Sequence, residues 1–225
     1  ISSGLFILPS IAFAQAGPAV ILSYLLASLL VIPSVLSQAE LATAMPKAGG
    51  TYFFVERSLG SLLGLFSGLA NWFSLAMKSA FAVVGMAILI EVGLQTFFSL
   101  RMDQWHLKAI SVLCCLVFVG LNTVSVKHTS RFQILLVAVL LGVLTMFMIF
   151  GAGSVQAVRY KGFLDKGWFA VLATVGLVFV SFGGLTNVAS ISEEVKRAGR
   201  NLPLGMLLAW FVVTGCYLGV VIVTV

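Results

Sequence analysis

The chain is 225 residues long, 60% hydrophobic and only 9% charged, with a mean hydropathy of +1.14, a composition that excludes a soluble globular domain. Its formal net charge of +6, from 13 Lys and Arg against 7 Asp and Glu, lies between apolar runs, where it orients loops against anionic lipid and offers no face for nucleic acid. At about 30 Å of hydrocarbon and ~1.5 Å per helical residue a crossing takes roughly 20 residues, so six or seven helices use up the chain and leave no soluble catalytic domain.

Charge-free stretches mark the predicted crossings at residues 1–39, 58–77 with a continuation to 90, 109–126, 132–158, 167–192 and 201–225. The first is too long for one helix. Gly17-Pro18 divides it, because Pro suits the first turn of a new helix and Gly tolerates the break, which gives a partial helix to about Gln15 and a full one from Pro18. Residues 40–52 form a polar, Gly/Pro-punctuated joint, and residues 101–108, 127–131 and 159–166 read as charged connectors. The densest charge cluster, residues 193–203, follows the sixth segment.

Counting Lys and Arg on alternate sides gives seven (Lys47, Arg57, Lys127, Arg131, Lys196, Arg197, Arg200) against five (Arg101, Lys108, Arg159, Lys161, Lys166). The excess places the loops at Glu40, Lys127 and Glu193 in the cytoplasm. Cys114, Cys115 and Cys216 all fall in apolar runs without Cys/His spacing, so they read as core thiols and predict neither a disulfide framework nor a metal site. Both ends fall in mid-run with no charged leader, as expected of a stretch from a longer protein.

Two glycine-containing sites carry the candidate chemistry. Ser2-Ser3-Gly4 opens one apolar helix, and Phe182-Gly183-Gly184 interrupts another; residues 2–10 and 182–190 share Gly, Leu and Ser in register. A helix broken at membrane depth frees amides and carbonyls that survive only beside a polar cavity. Freed N–H groups at the first break suit a carboxylate and freed carbonyls at the second an ammonium, the two ends of a zwitterionic amino acid. The plain alternative is that Gly183-Gly184 is a close helix-packing contact.

The stretches Ser2-Ser3-Gly4-Leu5-Phe6, Ala39-Glu40-Leu41, Met45-Pro46, Ala48-Gly49-Gly50-Thr51-Tyr52 and residues 179–203, ending in Glu193, Glu194, Val195, Lys196, Arg200 and Pro203, resemble signatures of the amino acid/polyamine/organocation (APC) superfamily of permeases. The resemblance covers essentially the whole chain. It implies an all-α integral membrane fold, a leucine-transporter-type five-plus-five inverted-repeat bundle truncated to about seven segments, with the first repeat at residues 1–158 and the start of the second at 167–225. It implies a substrate site in which backbone at Ser2, Ser3 and Gly4 holds the carboxylate and carbonyls near Val180, Ser181 and Gly183 hold the amine, with Leu5 and Gly184 as further substrate-binding candidates and Phe182 shaping or gating the pocket. The chain departs from the family pattern at Ser2, where Gly is usual, and at Arg197-Ala198, where Asn-Pro is usual.

Lys78 stands deep in the third long apolar run, where an ammonium costs about 2.5 to 3.5 kcal/mol on insertion scales. It is the proton-coupling candidate, or a stand-in for a bound cation; snorkelling or a backbone partner is the alternative. Some proton-coupled relatives use a lysine on the fifth helix, but residues 132–158 contain none. Glu40, Glu193, Glu194 and Lys196 are candidates for an inner gate of ion pairs, against a reading as solvated charge.

His106 and His128 are isolated and no catalytic constellation recurs, so no enzyme and no cofactor are expected. The expectation is a plasma-membrane transporter of amino acids or amines, working by proton symport or exchange, with a substrate, the bilayer and protons as its partners. A non-transporting sensor of the same fold is the rival. Residues 101–108 hold no Cys, so the disulfide-linked glycoprotein partner of some family members is not expected.

Overall fold

The computed structural model describes residues 4–47, 49–98, 103–124, 126–153, 160 and 162–225. These form α1 (Gly4–Ala16), α2 (Val20–Ala44), α3 (Thr51–Leu59), α4 (Ser61–Phe98), α5 (Gln104–Val124), α6 (Val126–Ala152), α7 (Gly167–Phe182) and α8 (Ala198–Thr224), with 3-10 segments at Gly17–Ala19 and Thr186–Glu194. Among the described residues there is no strand. Five stretches are long and apolar enough to cross a membrane: Ile7–Ala44, Ser61–Thr96, Gln133–Ala152, Gly167–Ser190 and Ala198–Thr224, beside the shorter apolar helix Trp105–Gly120. The protein is an all-α, multi-pass integral membrane protein.

The expected division of the first run is present. Gly17 takes φ +63, a left-handed conformation that favours glycine, and Pro18 follows it in the 3-10 turn that separates α1 from α2. One expected connector is not a loop. Residues 127–131 lie inside α6, which begins at Val126 directly after α5 and residue 125. Lys, His, Thr, Ser and Arg do not break a helix as Gly or Pro does, so charge alone did not mark an end. α5 likewise begins at Gln104, inside the connector expected at 101–108.

The chain divides into two compact units, Ile1–Ser74 with Phe147–Val225, and Leu75–Met146. In the first, α2 lies against α7 and α8, and α1 against α7. α2 turns Val20, Ser23, Tyr24, Ala27, Ser28, Val31, Val35, Ala39 and Ala42 inward at three- and four-residue spacing. Its small residues let the neighbouring backbones approach. The Ser23 hydroxyl donates to the Val171 carbonyl at 3.0 Å and the Trp210 indole N–H to the Ser28 carbonyl at 2.9 Å. The Lys166 ammonium donates to the Ala14 carbonyl, so the end of α1 is fixed at the start of α7 and the two helices run antiparallel.

Close approach at glycine recurs within this unit. A Cβ on Gly64 would fall 2.7 Å from Glu56 Cβ and one on Gly68 2.9 Å from the Tyr52 ring, so α3 packs onto the first turns of α4 through a Gly-xxx-Gly face. Gly151 meets Val223 and Gly219 meets Met148 in the same way, joining the end of α6 to α8.

The second unit contains the remainder of α4, α5 and most of α6. Its apolar side chains are largely exposed, and its hydroxyls return to their own helices: Ser79 to Leu75, Ser111 to Leu107 and Thr145 to Leu141. That is how a hydroxyl is satisfied on a helix facing lipid.

Arg197, before α8, takes φ +54, the positive-φ residue among the described non-glycine positions. Gly and Asn tolerate the left-handed region better than Arg. Arg197→Gly or Arg197→Asn is therefore expected to stabilise the protein by about 1 kcal/mol, seen as a higher unfolding temperature in detergent; a lower temperature would mean that the arginine side chain supports the turn.

Candidate functional site

The break expected within residues 181–185 is present. The α-helical ladder of α7 stops at Phe182, and the chain goes on by i to i+3 hydrogen bonds, Gly183 N–H to the Val180 carbonyl at 3.2 Å and Leu185 N–H to the Phe182 carbonyl at 3.0 Å. The 3-10 segment then runs nine residues, Thr186–Glu194, where runs beyond about four are uncommon because the bond geometry is poorer. Antiparallel packing of α1 and α7 sets Gly4, the first residue of α1, toward this broken end. Ser2 and Ser3 lie outside the described residues. Leu5 is buried.

Each carbonyl expected to receive an amine already accepts a hydrogen bond. Val180 takes the Gly183 N–H, Ser181 takes the Tyr217 hydroxyl at 3.1 Å, and Gly183 takes the Thr186 hydroxyl at 3.3 Å. A carbonyl has two lone pairs and keeps capacity for a second donor. Phe182 is 1% exposed and faces the protein interior, its ring edge-on to Tyr217 with centroids 5.0 Å apart. Tyr24 also packs edge-on to Tyr217, with centroids 5.9 Å apart at 86°. The Tyr24 hydroxyl and the Ser181 Oγ are buried and have no hydrogen-bond partner among the described residues. Val180 and Gly184 are exposed, and a Cβ on Gly184 would meet nothing within 4 Å.

Tyr24, Thr186 and Tyr217 were not among the residues read as functional. Their signal was available in a weak form: a phenol inside an apolar run needs a partner for its hydroxyl. Which carbonyl Tyr217 reaches depends on α8 lying beside the break, which no local pattern carries.

Below the break, the 3-10 segment is clasped by the joint between α2 and α3. The buried Ser192 hydroxyl donates to the Lys47 carbonyl at 3.2 Å. Gly50, at φ +53, lies so close to the segment that its Cβ would stand 3.2 Å from Ser190 Cα. Ala42, Phe54, Ala189 and Leu202 form the buried cluster around them. The candidate gate residues Glu40, Glu193 and Lys196 sit on the exposed rim of this layer, while the Glu194 side chain lies outside what the structure describes. Glu40 makes no ion pair among the described residues. On α3, the Glu56 carboxylate accepts from the Tyr52 hydroxyl and raises the phenol above its ordinary pKa.

Lys78 is half-buried on α4, in the second unit, and makes no hydrogen bond or ion pair among the described residues. Cys114, Cys115 and Cys216 are free thiols. A cavity of about 230 Å³ is lined by Pro9, Ser10 and Phe13 of α1, Val20 of α2 and Val221 and Thr224 of α8; none of the residues named from sequence lines it.

The model of the family described as amino acid permease matches residues 1–225. The chain belongs to the amino acid permease family. Similar proteins within reach of this permease chain include the cationic amino acid transporter 1 of Arabidopsis thaliana, 28% identical over 96% of the chain and 38% of that protein. The methylthioribose transporter of Bacillus subtilis is 26% identical over 99% of the chain and 51% of its own length. The branched-chain amino acid permease BcaP of the same organism is 26% identical over 98% of the chain and 50% of its own length. The permease chain thus spans half or less of the length of most of these relatives.

A side chain at Gly50 must adopt φ +53 and press on the Ser190 backbone, so Gly50→Val is expected to undock the 45–50 joint from the 3-10 segment and destabilise the protein by about 2 kcal/mol. Faster protease cleavage of the joint and a lower unfolding temperature would record it; unchanged cleavage would mean the joint is held from elsewhere.

Proposed function

We propose that this chain is the substrate-binding part of a secondary active transporter of amino acids or related amines that works by alternating access. The observation that carries the reading is the break after Phe182, beside the antiparallel α1, in a chain of the amino acid permease family. Irregular backbone at membrane depth belongs where it lines a polar path. Backbone at Ser2, Ser3 and Gly4 takes the carboxylate and carbonyls near Val180, Ser181 and Gly183 take the amine, beside a free lone pair or in exchange for the present donor; Leu5 and Gly184 adjoin the site, and Phe182 seats the break against the interior. Residues 1–158 form the first inverted repeat and 167–225 open the second. The protein works in the plasma membrane and performs no enzymatic step.

The names of the relatives range over cationic amino acids, branched-chain amino acids and methylthioribose. The cationic and branched-chain amino acids both carry the ammonium and carboxylate that a backbone site would hold, whereas methylthioribose carries neither. Glu40, Glu193, Glu194 and Lys196 form the inner rim that opens and closes, over the layer held by Ser192 and Gly50.

A side chain at Gly184 costs the fold little, since an added Cβ meets no protein atom within 4 Å. Gly184→Leu is expected to abolish binding of L-leucine and L-arginine while leaving the unfolding temperature in detergent within a few degrees of the parent. Unchanged affinity would place the site elsewhere, and binding by the parent without uptake into vesicles would make the protein a sensor.

Lys78 couples transport to protons. Lys78→Met, which keeps the stem and removes the ammonium, is expected to fold as well as the parent but to lose the pH dependence of initial uptake. Lys78→Arg fails as well, because a guanidinium does not release its proton. A parental pH profile for Lys78→Met would remove Lys78 from the mechanism, and a tolerated arginine would indicate a snorkelling cation.

A further inference from the structure

We propose that Tyr217 and Tyr24 are positioning residues that set the affinity of the amine site: the Tyr217 hydroxyl covers the Ser181 carbonyl in the empty protein, and an incoming ammonium displaces it toward the hydroxyl of Tyr24. This rests on the reading that the break after Phe182 binds an amine. Three helices meet at the device. Tyr24 comes from α2, Ser181 from the last turn of α7 and Tyr217 from α8, and both tyrosines are 0% exposed.

The Tyr217 hydroxyl now donates to the Ser181 carbonyl at 3.1 Å. Its ring stands edge-on to Phe182, with centroids 5.0 Å apart, and to Tyr24, with centroids 5.9 Å apart. The hydroxyl of Tyr24 is buried and without a partner among the described residues, as is the Ser181 Oγ. A buried unpaired hydroxyl is costly, and most such groups in native structures are paired or have a role. When an ammonium takes the Ser181 carbonyl, a charge-assisted bond replaces a neutral one, and the released Tyr217 hydroxyl satisfies Tyr24. Substrate binding thereby gives the Tyr24 hydroxyl a partner, through a redirection of the Tyr217 O–H.

Two substitutions that keep both rings test the exchange. Tyr217→Phe uncovers the Ser181 carbonyl in the empty protein, so L-leucine or L-arginine, whichever the full chain binds, is expected to bind about threefold to tenfold tighter. Tyr24→Phe removes the destination of the displaced hydroxyl, so the same ligand is expected to bind several-fold weaker. In the double variant Tyr24→Phe has no further effect, because no hydroxyl is left to relocate. Dissociation constants from calorimetry in detergent, with unfolding temperatures measured in parallel, read all three. A role in stability alone would move both single variants the same way, and that outcome, or an unchanged affinity for Tyr217→Phe, overturns the proposal. Loss of binding in Gly184→Leu with same-sign effects at the tyrosines would retain the site and discard the exchange; unchanged binding in Gly184→Leu would discard the site itself.

Discussion

Hydrocarbon offers a backbone no hydrogen-bond partner, so every carbonyl released from a helix inside the membrane must find its donor within the protein. Much of the first unit follows from how that is met after Phe182. The α-ladder stops, Gly183 N–H takes the Val180 carbonyl, and the carbonyls of Ser181 and Gly183 are reached by the hydroxyls of Tyr217 and Thr186. One of those donors is on another helix, so α8 has to stand beside the break with Tyr217 wholly buried. The Phe182 and Tyr24 rings then pack edge-on to it.

Hydroxyl groups divide into two kinds by the carbonyl they reach. Those of Ser79, Ser111, Thr145 and Thr174 return to the carbonyl four residues earlier on their own helix, which satisfies them wherever the helix is placed. Those of Ser23, Ser192 and Tyr217 cross to other elements, as does the Trp210 indole. The crossing bonds tie α2, α7, α8 and the joint before α3 together around the interrupted helix. Polar groups that serve packing alone and polar groups that hold the break are thus separable by geometry, although both read as isolated hydroxyls in an apolar run.

Glycine provides the second means of assembly. Buried apolar area drives no association between helices already in lipid, so close contact depends on backbones approaching. Gly64 and Gly68 let α3 lie against α4, and Gly50 brings the joint onto Ser190. Below the break the 3-10 segment keeps weaker hydrogen bonds than an α-helix, and it is held by a buried cluster of small and apolar side chains together with one hydroxyl. A segment held in this way is suited to rearrange without unfolding its neighbours.

Hydropathy settled the class of the protein before any coordinate, because a run of about 20 apolar residues has few stable uses other than crossing a bilayer. Local chemistry settled the division at Gly17-Pro18 and the interruption near Gly183, since glycine and proline act on their own backbone. It misjudged residues 127–131, whose charges do not end a helix. What only the tertiary structure decided is which groups face one another. That the Ser181 carbonyl meets Tyr217, that Phe182 turns inward and that Gly50 touches Ser190 all depend on elements tens to more than a hundred residues apart. Neither periodicity nor spacing encodes such pairings, because they are fixed by how helices pack and not by what any one helix contains.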